Sequence, residues 1–102
     1  MREAVSEMKK PLFEPGKTVA TAGVYQLMQE NPEFARFVSF SLSCHLHGFW
    51  GDLCESDKRI NNEALKTDGR LLSAYSFYED HKIWIITESD RSATTVLFPD
   101  EY

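Results

Sequence analysis

Cys44, His45, His47 and Cys54 lie close together and form the one cluster in this 102-residue sequence with metal-ligand chemistry. Zinc takes four such donors tetrahedrally. On a helix, residues three apart share a side while adjacent residues diverge by about 100°, so Cys44 and His47 face together and His45 points elsewhere. The paired short spacings of a zinc ribbon or finger are missing. The residues therefore read as two reduced cysteines with His45 packed near Trp50, and neither a metal nor another cofactor is expected.

A second polar group is Glu88, Asp90, Arg91, Ser92, Thr94 and Thr95. Arg91 can clamp a carboxylate or phosphate, and Asp90 can act as a base. Hairpin turns are polar for their own reasons, however, because Asp and Ser side chains bond the nearby backbone. The turn reading comes first and a recognition surface built on Arg91 second. Asp52, Asp57 and Asn61 form a third group that can hold a divalent ion or cap a helix start, the simpler use of acids there. No nucleophile-base-acid order, phosphate loop or catalytic carboxylate pair is present. No catalytic residue is assigned. His45, Asp52, Asp90 and Arg91 stand as binding candidates, and Gly48, Trp50 and Gly51 as structural ones. Small residues on both sides let the backbone turn the Trp50 ring inward, with its indole N–H sent to His45 or a strand carbonyl.

These residues need a scaffold, and residues 70–98 supply its centre. Leu71, Tyr75 and Phe77 alternate with Leu72, Ala74, Ser76 and Tyr78, the pattern of a half-buried strand. Residues 82–87 are apolar at four successive positions and rich in β-branched and aromatic side chains, as in a central strand covered on both sides. The polar interruptions at 79–81 and 89–92 have hairpin lengths, so neighbouring strands pair antiparallel.

Upstream, 17–20 reads as a short extended entry, and Thr21 as the N-cap of a helix over 22–29. Asn31-Pro32-Glu33 restarts a helix over 32–47, with a capping side chain, a proline at the first position and an acid in the first turn. Phe40 lies off its Phe34, Phe37, Val38, Leu42 stripe, which implies burial on more than one side. Gly48 ends it. Asp52 with Glu55 resembles a capping box opening a helix over 53–66, whose narrow apolar face is Leu53, Ile60, Ala64 and Leu65. The predicted fold is α+β, two to three N-terminal helices packed on one side of a three-stranded antiparallel β-meander. Residues 1–16 read as a flexible tail in which Leu12 and Phe13 can dock, and 17–102 as a single domain.

Composition narrows the function classes. An apolar fraction of 42% and an aromatic fraction of 13% describe a packed globule, since a disordered chain lacks the surface that offsets conformational entropy. Apolar runs stay well short of the roughly 20 residues that span a bilayer, and no signal-peptide core opens the chain, so a cytoplasmic protein without a membrane partner is expected. The net charge of −5 is uneven, with five acids against five bases through His47 and eleven against six beyond it. That asymmetry disfavours direct nucleic-acid binding, which needs clustered Lys and Arg.

One longer pattern remains. His45, Gly48-Phe49-Trp50-Gly51-Asp52-Leu53, Asp57, Asn61 and Ala64-Leu65 lead into Gly69-Arg70-Leu71-Leu72-Ser73-Ala74-Tyr75 and Lys82-Ile83-Trp84-Ile85-Ile86-Thr87-Glu88, then Asp90-Arg91-Ser92-Ala93-Thr94-Thr95, Pro99 and Glu101-Tyr102. In these residues the chain from Lys17 onward, about four-fifths of its length, resembles a widespread family of small uncharacterised bacterial and plasmid proteins. Its members are often labelled "type I restriction endonuclease subunit M" or "plasmid-related protein". Phe49 stands where that family usually has an acid, and Cys44 and Cys54 are not typical of it. A DNA methyltransferase needs a nucleotide-cofactor fold with a glycine-rich strand-to-helix turn, and this chain carries neither. What the resemblance implies is a mobile-element or host-defence setting.

Two functions follow as expectations. The first is a noncatalytic protein-interaction module that binds a protein partner through its sheet face or acidic second half, with Trp50, Tyr75 and Trp84 as exposed aromatic anchors. The second is a small enzyme or ligand-binding protein with a polar site around His45, Asp52, Asp90 and Arg91.

Overall fold

The computed structural model describes residues 10–102. Strand β1 (Lys17–Ala20) leads into α1 (Ala22–Glu30) and α2 (Pro32–Leu46), followed by α3 (Glu55–Thr67), β2 (Leu71–Phe77), β3 (His81–Thr87), β4 (Ala93–Leu97) and a 3₁₀ turn, Pro99–Glu101. The fold is α+β. The sheet is not a three-stranded meander, because β1 joins it in the order β1-β4-β3-β2. β1 pairs parallel with β4, Lys17 opposite Ala93 and Ala20 opposite Val96, whereas β2, β3 and β4 pair antiparallel. A parallel partner reached only after the whole helical layer carries no local turn signal, so an extended four-residue segment does not announce its place in a sheet.

The alternation of strand side chains divides the sheet into two faces. Leu71, Ser73, Tyr75, Ile83, Ile85, Thr87, Thr94 and Val96 share one, and α1 and α2 lie on it through Val24, Phe34 and Val38. A smaller cluster of Trp50, Ala64 and Leu71, packed by Phe13, Leu53 and Leu65, extends this core toward α3. Leu72, Ala74, Trp84, Ile86 and Leu97 share the other face and belong to neither cluster. No helix covers it. The expectation of a β3 buried on both sides is thus half met, since Ile86 is shielded by its neighbours while Trp84 is only half-buried.

Helix α3 does not lie on the sheet; it runs along the outer edge of β2. The Asn61 amide donates to the Leu72 carbonyl at 2.6 Å and accepts from the Leu72 N–H at 3.2 Å, replacing a neighbouring strand. Two residues on, Gly51 forms a parallel bridge with Ala74, whose N–H donates to the Trp50 carbonyl and whose carbonyl accepts the Asp52 N–H. An edge strand with open amides invites aggregation, and these contacts close that edge. Gly51 sits at φ +79°, where a side chain would overlap the Ala74 carbonyl.

Several local expectations change. Asp52 and Glu55 form no capping box, because α3 begins at Glu55 with Cys54 at the N-cap and no side-chain cap bond. Thr21 occupies the N-cap of α1, but its hydroxyl donates to Glu101, whose carboxylate also accepts the Gly23 N–H. Asn31 caps α2 by accepting from the Glu33 and Phe34 N–H groups, and Gly48 leaves that helix at φ +83°. Phe40 is 70% exposed, so α2 is buried on one side only.

Of the tail expected over 1–16, residues 1–9 lie outside the described residues. The segment that follows them is fastened to the domain. The Leu12 N–H donates to the Leu46 carbonyl, Phe13 packs into the smaller cluster, and the Pro15 carbonyl accepts the Thr94 hydroxyl at 2.7 Å. The domain therefore reaches at least to this segment and does not begin at Lys17.

Candidate functional site

Three hydroxyl residues occupy inward-facing strand positions among apolar neighbours, namely Ser73 on β2, Thr87 on β3 and Thr94 on β4. A buried hydroxyl without a partner costs free energy, and α2 supplies the partner. His45 is 0% exposed, with Nδ1 2.6 Å from Ser73 Oγ and Nε2 2.9 Å from Thr87 Oγ1. Thr87 Oγ1 is 2.7 Å from Thr94 Oγ1, which donates to the Pro15 carbonyl.

The directions of these bonds follow from the far end. Because Thr94 gives its proton to Pro15, it accepts from Thr87, and Thr87 in turn accepts from His45. His45 Nε2 therefore carries the proton and Nδ1 accepts from Ser73. The neutral ring is fully satisfied, and burial, reinforced by the Arg91 charge, lowers its pKa to about 4. Phe13 and Trp50 each meet the imidazole edge-on, with ring centroids at 5.4 and 5.7 Å.

The four binding candidates do not converge. His45 stands at Ser73, near the middle of β2. Asp52 accepts the Ser76 hydroxyl at 2.7 Å, toward the far end of β2 and on the opposite face. Arg91 reaches the Gly69 carbonyl at 2.7 Å, just before β2 begins. From Gly69 to Ser76 the backbone spans roughly 20 Å at strand rise. Asp90 is exposed; the Ser92 hydroxyl, and with it the Ser92 N–H at 2.9 Å, holds its carboxyl below the usual range, and the N–H bond defines the β3–β4 turn. Arg91, at φ +61°, also donates to the Glu88, Ser89 and Ala64 carbonyls. Its guanidinium ties the turn to the C-terminal end of α3, where cations are favoured.

The zinc candidates disperse as well. His47 Nδ1 donates to the Ser43 carbonyl, Cys54 Sγ lies 3.3 Å from Ser56 Oγ, and Cys44 packs against the main core, where burial raises its thiol pKa. Among the described residues, no three His, Cys, Asp or Glu side chains gather to hold a metal ion.

Two of the three anchor aromatics are withdrawn from the surface. Trp50 is 3% exposed, and its indole N–H donates to Asn62 Oδ1 at 3.0 Å instead of to His45 or a strand carbonyl. Tyr75 is buried, donates to the Phe49 carbonyl at 2.6 Å, and its hydroxyl pKa is raised mainly by burial. Trp84 alone reaches the open face, where Tyr102 meets it edge-on at 5.7 Å.

That face carries residues the motif reading passed over. The Arg70 guanidinium lies 5.3 Å from the centroid of the Tyr102 ring and donates to its hydroxyl at 2.6 Å. Beside it, Leu53, Asp57, Ile60, Asn61, Arg70 and Leu72 line a groove of about 310 Å³ between α3 and β2. Ile60, expected on the buried stripe of α3, is 63% exposed at its rim. Ser73 and Arg70 were both within reach of the alternation pattern. Ser73 interrupts an inward apolar series, and Arg70 extends the outward one.

Comparison with known proteins finds no matching family model, no similar curated protein and no similar solved structure. Among the described residues, no helix is long and apolar enough to cross a membrane.

Proposed function

We propose that this chain is a noncatalytic protein-interaction module of the bacterial cytoplasm, serving a mobile element or host defence, and that it binds a protein partner on the open face of its sheet. The observation that carries this reading is the one-sided placement of the helices. They cover one face and one edge, and leave Trp84, Leu72, Tyr102 and the rim residue Ile60 on a surface that α1 and α2 do not reach. Aromatic and aliphatic residues with an arginine among them are the composition of interface centres. The net charge of −5 favours a protein over nucleic acid as the occupant. The mobile-element setting rests on the family resemblance alone.

The second expectation, a small enzyme or ligand-binding protein with a polar site around His45, Asp52, Asp90 and Arg91, has less support, because His45 is fully buried against Ser73 and Thr87 while Asp52 bonds Ser76, Asp90 caps its own turn and Arg91 is taken up by backbone carbonyls.

Site-specific photocrosslinking in the native host tests the proposal. A crosslinker at Trp84 or Ile60 should capture a discrete protein that one at Phe40, on the outer side of α2, does not. The captured protein, purified, should bind wild type and lose affinity for Trp84→Ala. Equal capture at Phe40, or undiminished binding to Trp84→Ala, overturns it.

A further inference from the structure

The geometry points to a receptor for a side-chain carboxylate on the open face, so that the partner segment is an acidic apolar peptide laid along the groove between α3 and β2. This rests on the interaction reading and names the chemistry of its partner.

Arg70 is the reason. A guanidinium has five N–H donors in a planar fork. One of them goes to the Tyr102 hydroxyl at 2.6 Å, which leaves the guanidinium carbon 5.3 Å from the ring centroid. Glu88 stands directly opposite Arg70 if the β2–β3 register continues, yet among the described residues no carboxylate lies within 4 Å of the guanidinium. A bond to the tyrosine hydroxyl tethers one side of the fork and, among the described residues, leaves its remaining donors available to a carboxylate, which a guanidinium takes bidentately. Arg91 shows the contrast, because backbone carbonyls occupy its fork.

The groove supplies the apolar half. Leu53, Ile60 and Leu72 line it, with Arg70 contributed from the strand side and Asp57 from the helix side. At about 310 Å³ it sits at the lower limit of small-molecule pockets, and it is a trough at the surface, suited to a few side chains of a longer segment. Its two walls differ in charge. An incoming acid is therefore drawn to the Arg70 wall and repelled from the Asp57 wall, which orients the segment.

The test is a random peptide library fused through its C-terminus, so that only side-chain carboxylates are offered, panned against the full chain. Selected peptides are then titrated against wild type, Ile60→Ser, Arg70→Lys, Arg70→Glu and Tyr102→Phe at fixed salt. The expected peptides combine Asp or Glu with apolar residues. Arg70→Glu should weaken them by about tenfold or more, with Arg70→Lys in between and Ile60→Ser also weaker. Tyr102→Phe, which keeps the ring and removes the tethering oxygen, should cost less than Arg70→Lys. Thermal midpoints of the variants should match wild type. Peptides that respond to Ile60→Ser but not to Arg70→Glu, or that carry no acid, overturn the carboxylate receptor and leave the open-face interaction standing. Peptides indifferent to both positions overturn both.

Discussion

The two faces of the sheet differ in how their polar side chains are partnered, with Ser41 Oγ, buried on α2 without a partner, the exception on the helical side. On the helical face every member of the Ser73, His45, Thr87 and Thr94 chain meets a partner within hydrogen-bond distance, ending on a backbone carbonyl. On the open face Arg70 keeps most of its donors, and Trp84 and Tyr102 remain partly in water. A closed network specifies a packing arrangement, because each bond constrains the next and any break leaves a buried group unpaired. An incomplete set on an apolar surface retains capacity for a second molecule. A histidine at hydrogen-bond distance from a serine is the more familiar signature of chemistry, yet here it is the structural half of the molecule.

Among truncations of native side chains, that of Trp50 should give the largest loss. Its ring fills the junction of Ala64, Leu71 and Phe13, and its N–H holds Asn62. Trp50→Ala should cost about 3–5 kcal/mol, a large share of a small domain's stability. Urea denaturation measures it, and a loss below about 1 kcal/mol would place the ring outside the core, in the surface range.

Next comes the pH dependence of the helical face. His45 has a folded-state pKa of about 4 against an ordinary 6.5, so between these values the unfolded chain binds a proton that the folded chain refuses. Stability is full above about pH 6.5 and falls as pH drops toward 4, by an amount on the order of 3 kcal/mol. Urea midpoints for wild type and His45→Gln across this window isolate the term, because carboxylate titration is common to both. The variant should show a flatter profile, and parallel profiles would mean that His45 is not buried neutral.

Arg91 ranks third. Arg91→Ala removes the donors to the Gly69, Ala64, Glu88 and Ser89 carbonyls and should cost about 1–2 kcal/mol. Since the residue sits at φ +61°, Arg91→Gly should be less damaging than Arg91→Ala by about 1 kcal/mol. Equal losses would show that the side-chain bonds, and not the backbone conformation, dominate the turn.

The sequence is informative where the physics is local. Asn31 and Pro32 mark the start of α2 because the cap and the proline both act within one turn. The two hairpins are readable because their loops are short. β1 is readable as extended but not as a sheet member, since its partner lies on the far side of the helical layer in sequence. Asp52 follows a capping-box spacing and is instead drawn into the Gly51–Ala74 bridge, a tertiary contact that outweighs a local preference. Of the candidate site, His45 could be singled out by type, but its role is set by hydroxyls from three different strands. Its separation from Asp52 is a matter of distance along β2, and from Arg91 of the Phe13 ring that stands between them, neither of which spacing in the chain encodes.

The smallest expected effect is also the one that most directly separates the faces. Ile60 belongs to the apolar stripe of α3 by periodicity, yet it is 63% exposed beside the groove. Asp57 and Glu63 lie three residues away on either side, so a lysine at position 60 gains two acidic neighbours on the same helix. Ile60→Lys should therefore leave stability unchanged or raise it by about 0.2–0.5 kcal/mol. The same change at Val38, buried on the helical face, places an ammonium among Phe34, Tyr75 and Ile85 and should abolish folding. Thermal melts of the two variants measure the contrast. A large loss at Ile60 would mean that this residue serves the fold, and the groove would then be a seam of the core instead of a surface left open for a partner.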